Sequence, residues 1–123
     1  MTTDRWQHLI GTPFVWGGRD PSTGLDCWGL ARAVVPALPD YEADNLPDAV
    51  AVWRAEHTAW PRVDHPRPGD VVLLGTTHTV RHAGVLVEPG QILHTTQSTG
   101  AIVQPLAWLK QIYPHMVAYR WQD

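Results

Sequence analysis

The second half of the chain alternates between short strand-like segments and turns, and this pattern is the feature that most restricts the fold. It begins after the turn "PRPGD" at residues 66–70. A helical stretch, "PLAWLKQIYP", interrupts the runs. The runs predicted as strands are "VVLLG", "HAGVLVE", "QILHTT", "AIVQ" and "MVAYRW". Short β-branched or alternating runs joined by tight turns predict an antiparallel sheet.

The first half of the chain has the pattern of short helices instead. The segment "TTDRWQHLIG" predicts a helix that Thr3 caps and Gly11 ends. Asp26 is a suitable N-cap for a second helix over "CWGLARAVV", which Pro36 stops early. The stretch between these helices, residues 12–24, is rich in Gly, Pro, Ser and Thr and is predicted to be a loop.

A third helix is predicted around residues 45–60, with Asn45 as its N-cap. Helices in the first half followed by strands in the second predict an α+β fold, with N-terminal helices packed on one face of a C-terminal antiparallel sheet. At 123 residues, the chain is expected to form a single domain over 1–123.

Composition excludes several classes of protein. The formal net charge of −3 gives no basic footprint for nucleic acid or an anionic membrane surface. No apolar run approaches the roughly 20 residues of a membrane helix, so we expect neither nucleic acid nor membrane as a partner. A single cysteine cannot form an internal disulfide. The N-terminus lacks the features of a signal peptide, so we expect synthesis in the cytoplasm without export.

The one cysteine, Cys27, lies where the glycine-rich loop becomes the second helix. A helix N-terminus favours the thiolate because its free N–H groups present partial positive charge. A nucleophilic thiol at this place, with a lowered pKa, is one interpretation. The other is an inert packing residue, since free cysteine is among the most buried residue types.

The predicted sheet supplies two candidates for the base that such a nucleophile needs. His82 opens "HAGVLVE" and His94 lies within "QILHTT". If a simple two-residue turn joins the strands, the two histidines face opposite sides of the sheet. If the loop has three residues, or the pair contains a bulge, Gly84 pairs with His94 and His82 lies diagonally on the same face. A Cys-His-His site predicts the second register.

The remaining five histidines fall on a short surface helix or in and near loops, where solvated or capping roles are expected. Only His78 is close enough in sequence to His82 to serve as an alternative base. No pair shows the spacing of a zinc site, so we expect no metal and no cofactor. These five are His8, His57, His65, His78 and His115.

Several motifs together resemble the NlpC/P60 peptidases. They are, in order, "PFVWGGRDPSTGLDCWGLARAVV", "RPGDVV" and "RHAGVLVEPGQILHTT", and the resemblance extends from about Gly11 to Trp121. It implies a papain-like fold and a peptidase that cleaves peptidoglycan stem peptides, commonly after D-γ-glutamyl next to a diamino acid. The implied partner is a peptidoglycan peptide.

The resemblance also implies roles for particular residues. Cys27 would be the nucleophile, and its backbone N–H would donate to the oxyanion. His82 would be the general base, and His94 would orient the His82 ring. Asp26 would shape the end of the cleft that receives the substrate amine.

Two residues depart from the pattern of the family. Phe14 stands where members commonly have Tyr, and Trp28 stands where they commonly have Ser. Trp28 is expected to replace a small polar wall of the cleft by a large apolar one. The positions expected to bind substrate are Phe14, Trp16, Gly17, Asp26 and Trp28.

The variants "DCWGL" and "GGRDP" look most like versions found in phage tails and prophages. They imply a wall hydrolase carried by the virion, with other tail proteins as partners. Two alternatives remain. The first is a catalytically silent structural tail component, suggested by Phe14 and Trp28. The second is a thiol amidase or acyltransferase that acts on another substrate.

Overall fold

The computed structural model describes residues 6–40, 61–76 and 79–121. Over these ranges the protein is an α+β structure in which two helices pack on an antiparallel sheet, and the predicted fold class is confirmed. The third predicted helix, Thr3, His57 and His78 lie outside the described residues.

The main sheet has six strands in the order β3-β8-β4-β5-β6-β7, and all neighbours are antiparallel. The helices are α1 (Cys27–Val34) and α2 (Leu106–Ile112). The strands are β1 (Arg19–Asp20), β2 (Gly24–Leu25), β3 (Arg62–Val63), β4 (Val71–Thr76), β5 (Thr79–Glu88), β6 (Gln91–Thr96), β7 (Gly100–Pro105) and β8 (His115–Tyr119).

Helix α1 forms where the sequence predicts it. The Asp26 side chain accepts a hydrogen bond from the Gly29 backbone N–H, which is the expected N-cap. The helix ends at Val34, before Pro36, because proline cannot donate a backbone hydrogen bond. Its buried side, which includes Leu30, packs against β5 and β6.

Both faces of the sheet are covered. Along β4, Val71 and Leu73 join the core cluster that contains α1, while Val72 and Leu74 join a second cluster that contains Leu109 of α2. All four side chains are fully buried. The expectation of helices on one face was therefore incomplete, because the short insertion before β8 covers part of the other face.

The described part of the predicted N-terminal helix is a 3-10 turn, Gln7–Leu9, that no side chain caps. The chain leaves this turn to bond with the start of β7: Gly11 N–H donates to the Ala101 carbonyl at 2.8 Å, and Ala101 N–H donates to the Thr12 carbonyl at 2.9 Å. These bonds replace those that a longer helix would make.

The predicted loop over 12–24 also contains regular structure. Strands β1 and β2 form a small hairpin, with Arg19 opposite Leu25 and Asp20 opposite Gly24. Such two-residue strands carry no hydrophobic alternation, so the composition of the segment could not distinguish them from a loop.

The β5–β6 pair has the register that places both histidines on one face. Glu88 pairs with Gln91 around a two-residue turn, but Leu86 pairs with Ile92, so Val87 is an extra residue on β5. This bulge confirms the second of the two registers considered above, with Gly84 next to His94.

The substitution Gly84→Ala tests why glycine occupies this position. An added Cβ would lie 2.6 Å from Ile92 Cγ2 and 3.0 Å from the Leu93 carbonyl oxygen. We expect a loss of about 1–3 kcal/mol in the free energy of unfolding, because a core cannot accept an extra methyl group without shifting. Urea denaturation measures it, and an unchanged midpoint would contradict the close packing described here.

Candidate active site

Cys27 is the first residue of α1, and its sulfur lies against the sheet. The residue is 6% exposed. The backbones of Ala83 and Trp28 hydrogen-bond to the sulfur and favour the thiolate. Ala83 directly follows His82 on β5, so the start of the helix meets the strand that carries the predicted base.

The Asp26 carboxylate holds this junction together. Oδ1 accepts from the Gly29 N–H at 2.8 Å and from Arg19 Nη1 at 2.6 Å, and Oδ2 accepts from the Gly17 N–H at 3.1 Å. The Asp26 residue is 1% exposed. Asp26 was expected to shape the cleft toward substrate. In the structure it is buried beneath the glycine loop and fixes the position of Cys27.

Three polar side chains form a line across β5, β6 and β7. His82 Nε2 lies 2.9 Å from His94 Nδ1, and His94 Nε2 lies 2.6 Å from Gln104 Oε1. Each pair is diagonal across neighbouring strands, since Gln104 lies opposite Ile92 and His94 opposite Ile102. The structure thus brings His82 and His94 together and adds Gln104, which sequence reasoning missed.

A cleft of about 390 Å³ opens beside this line. Its lining includes His82 and two of the aromatic residues that the sequence singled out, Phe14 and Trp16. These two rings contact edge to face with centroids 4.9 Å apart, and Trp16 is 67% exposed. The other lining residues are Thr95, Thr96, Gln97, Ser98 and Tyr113.

Two other positions expected to contact substrate have different surroundings. Trp28 is 0% exposed, and its indole N–H donates to the Pro39 carbonyl at 2.8 Å. The expectation that Trp28 forms a cleft wall is therefore wrong, because its side chain belongs to the core under α1. Gly17 has φ +73°, which favours glycine, and its N–H is held by Asp26.

Tyr113, which follows α2, is a second cleft residue that the sequence did not reveal. Its ring stacks on the His82 imidazole, with centroids 5.5 Å apart and an interplanar angle of 19°. Burial and the neighbouring charge of Cys27 raise the pKa of its phenol. No spacing rule connects a residue after a helical insertion to a histidine on β5, so only the fold discloses this contact.

Burial determines the protonation states at this site. It raises the pKa of the Cys27 thiol to about 11, although the hydrogen bonds from the Ala83 and Trp28 backbones act to lower this pKa. It also lowers the pKa of His82 to about 3, with a further contribution from His94, and lowers the pKa of His94. The expected low thiol pKa is thus wrong for this structure, because loss of water outweighs the helix N-terminus.

At neutral pH the Cys27 thiol and the His82 imidazole are therefore both neutral. A thiolate–imidazolium pair is therefore not the resting state of these two groups. The other described histidines do not join this line: His65 is exposed before β4, His115 begins β8, and His8 lines a separate pocket of about 250 Å³. Within the ranges the structure describes, no three potential metal ligands cluster.

The fold and this site together define an α+β protein in which the cysteine at a helix start contacts the strand that carries one of two paired histidines. The NlpC/P60 family matches residues 11–120, and the chain belongs to this family. Family members are cysteine peptidases and hydrolases. The resemblance inferred from the motifs around Cys27, His82 and His94 is confirmed.

Several known proteins are similar to this chain. Gamma-DL-glutamyl hydrolase of Bacillus subtilis (strain 168) is 33% identical over 105 residues, which cover 82% of this chain and 24% of that protein. Murein DD-endopeptidase MepH of Escherichia coli (strain K12) is 29% identical over 114 residues, covering 85% of this chain and 38% of that protein. The chain thus spans only about a quarter to two fifths of these two relatives.

A solved structure is also similar. The NlpC/p60 domain of the peptidoglycan hydrolase SagA superposes with a TM-score of 0.63 at 25% identity, and the match covers 93% of this chain and 92% of that domain. Among the described residues, no helix has the length and apolar character needed to cross a membrane.

The resting state of the thiol can be measured directly. We expect the ultraviolet absorbance of thiolate, with Cys27→Ala as the blank, to be absent at neutral pH and to rise only as the pH approaches about 11. A thiolate signal at neutral pH would contradict a site in which burial controls the protonation of Cys27.

The buried histidine also predicts how stability depends on pH. His82 binds a proton near pH 6.5 in an unfolded chain but only near pH 3 when folded. The contribution of His82 to the free energy of unfolding is therefore fully present above pH 6.5. It is lost as the pH falls toward 3, by about 1.4 kcal/mol per pH unit. Urea denaturation across this window measures the slope, which should become shallower in His82→Gln. Equal slopes in the two proteins would show that His82 is not the source of this pH dependence.

Proposed function

We propose that this protein is a cysteine peptidase that hydrolyses peptidoglycan stem peptides, at the bond between a D-γ-glutamyl residue and a diamino acid. The observation that carries the proposal is the meeting of Cys27, at a helix start, with the strand that bears His82. The line His82–His94–Gln104 and the aromatic cleft beside it support the same chemistry. The relatives support the substrate class, since two are named for hydrolysis of glutamyl or murein bonds.

In this mechanism, Cys27 Sγ attacks the carbonyl carbon of the scissile amide while His82 accepts the thiol proton. The resulting imidazolium then gives that proton to the leaving amine, and a thioester to Cys27 remains. Water, deprotonated by His82, attacks the thioester and releases the carboxylic acid and the free thiol. Every proton is returned, so His82 ends the cycle neutral, as burial requires.

The oxyanion is stabilised at the start of α1. The first N–H groups of a helix have no partner within the helix, and one of them belongs to Cys27 itself. The Gly29 N–H donates to Asp26, so the Cys27 N–H is the one that donates to the negative charge developing on the substrate oxygen. The carboxylate thereby favours attack at the correct place without touching the substrate.

The cleft offers apolar and polar groups suited to a short peptide. The exposed face of Trp16 and the ring of Phe14 supply apolar contact at one side. Thr95 lies in the lining with its residue 1% exposed, and its hydroxyl has no partner among the described residues. A buried hydroxyl of this kind is stabilised when a substrate amide bonds to it.

Association with a phage tail is a further part of the proposal and rests on the motifs "DCWGL" and "GGRDP" alone. The burial of Trp28 weakens the case for a catalytically silent tail component, because this side chain no longer counts as an altered cleft wall. Phe14 alone remains as an apolar substitution inside the cleft.

Cleavage of the proposed substrate is tested with purified peptidoglycan and soluble stem peptides, with products identified by mass spectrometry. We expect the wild type to release fragments cut after D-γ-glutamyl, and Cys27→Ala to fold normally and release none. If all fragments are cut at a D,D-crosslink, the proposed cleavage site is wrong, and the protein cleaves the kind of bond for which the murein relative is named. No cleavage by the wild type would reject the peptidase and favour a structural role.

The contribution of Trp16 to substrate binding can be separated from general effects of removing a tryptophan. We expect Trp16→Ala to lower kcat/KM about 10-fold, mainly through KM, because an aromatic contact of about 1.4 kcal/mol is lost. Trp108→Ala is the matched control, since Trp108 is 46% exposed on α2 and is not part of the cleft lining. Equal effects of the two substitutions on KM would show that Trp16 does not bind substrate.

A further inference from the structure

Gln104, the third residue of the polar line, determines which ring nitrogens of the two histidines carry protons. Its Oε1 atom lies 2.6 Å from His94 Nε2. A carbonyl oxygen can only accept a hydrogen bond, so His94 Nε2 must carry a proton. A neutral imidazole carries a single ring N–H, which leaves His94 Nδ1 as an acceptor.

The proton position of His94 also determines that of His82. His94 Nδ1 lies 2.9 Å from His82 Nε2, and as an acceptor it requires a proton on that nitrogen. His82 Nδ1 is then the unprotonated atom, and it is also the ring nitrogen that His94 does not occupy. Burial lowers the pKa of both rings, so both are neutral at neutral pH.

We propose that Gln104 is a positioning residue whose amide oxygen fixes His94, and through it His82, in the tautomer that leaves His82 Nδ1 free to accept the Cys27 proton. Without this acceptor, His94 can carry its proton on Nδ1 and donate to His82 Nε2. The proton of His82 then resides on Nδ1, and the ring no longer acts as a base toward the sulfur.

The position of Gln104 on β7 lets its side chain reach the His94 ring. It lies on β7 opposite Ile92 and reaches His94 diagonally, on the sheet face that carries the second core cluster. A neutral amide orients the ring without adding a charge to a buried site, where an unpaired carboxylate would be costly. The chain of contacts therefore starts on β7, two strands from β5, and ends at His82.

The inference deepens the proposed function and rests on it for its catalytic meaning, but its direct test needs no substrate. Long-range ¹H–¹⁵N correlation of histidine-labelled protein at neutral pH distinguishes the two tautomers. We expect Nε2–H forms for both His82 and His94 in the wild type. Gln104→Met keeps the side-chain length but removes the acceptor, and we expect His94 to gain the Nδ1–H form. In Gln104→Glu, which keeps an acceptor oxygen, the wild-type tautomers should persist.

The rate of Cys27 alkylation by iodoacetamide provides a second readout. We expect Gln104→Met to slow it about 10- to 100-fold, the range typical of removing a group that orients a functional histidine, and Gln104→Glu to restore most of the rate. Gln91→Met is the matched control. Gln91 lies on the same strand pair, opposite Pro105, and has no contact with the histidines among its described interactions.

The outcomes separate this inference from the proposed function. An Nδ1–H tautomer of His82 in the wild type overturns it without any variant. Unchanged tautomers and an unchanged alkylation rate in Gln104→Met also overturn it, even if peptidoglycan is cleaved. The expected tautomers and rates support it even if the stem peptides are not the substrate.

Discussion

The buried carboxylate of Asp26 is the interaction on which the rest of the site depends. It caps α1 through the Gly29 N–H, ties down the glycine loop through the Gly17 N–H and pairs with Arg19. The loop, the helix start and the small β1–β2 hairpin are thereby held in one arrangement around Cys27. The position of the thiol at the helix terminus is thus set by a residue that is 1% exposed.

Burial of Cys27 and His82 determines which of the two groups is charged at rest. In water, a nearby helix terminus would favour the thiolate, but here desolvation raises the pKa of Cys27 and lowers that of His82. Neither group is therefore charged at rest, and in the proposed mechanism both charges form only as the thiol attacks. A resting neutral thiol is also less exposed to oxidation and alkylation, since the thiolate is the reactive form.

Some of this structure follows from the sequence and some does not. The cap at Asp26 and the helix it begins were predictable because both are local. A three-residue loop or a bulge was predictable because two histidines on one face require one of them, but the choice of a bulge at Val87 was not. The burial of Trp28 was not, because a helical residue beside a nucleophile can face the core or the cleft. Gln104 and Tyr113 were missed because their partners lie on other strands, and only the three-dimensional pairing brings them to the histidines.

The central claim is that Cys27 forms a covalent acyl intermediate during peptide hydrolysis. The most direct measurement is intact-protein mass spectrometry after rapid acid quenching of the enzyme with stem peptide, followed by mapping of the modified peptide. We predict a transient thioester on Cys27 that appears before free product accumulates and is absent in Cys27→Ala. Turnover during which the protein keeps its unmodified mass at every time point would contradict it.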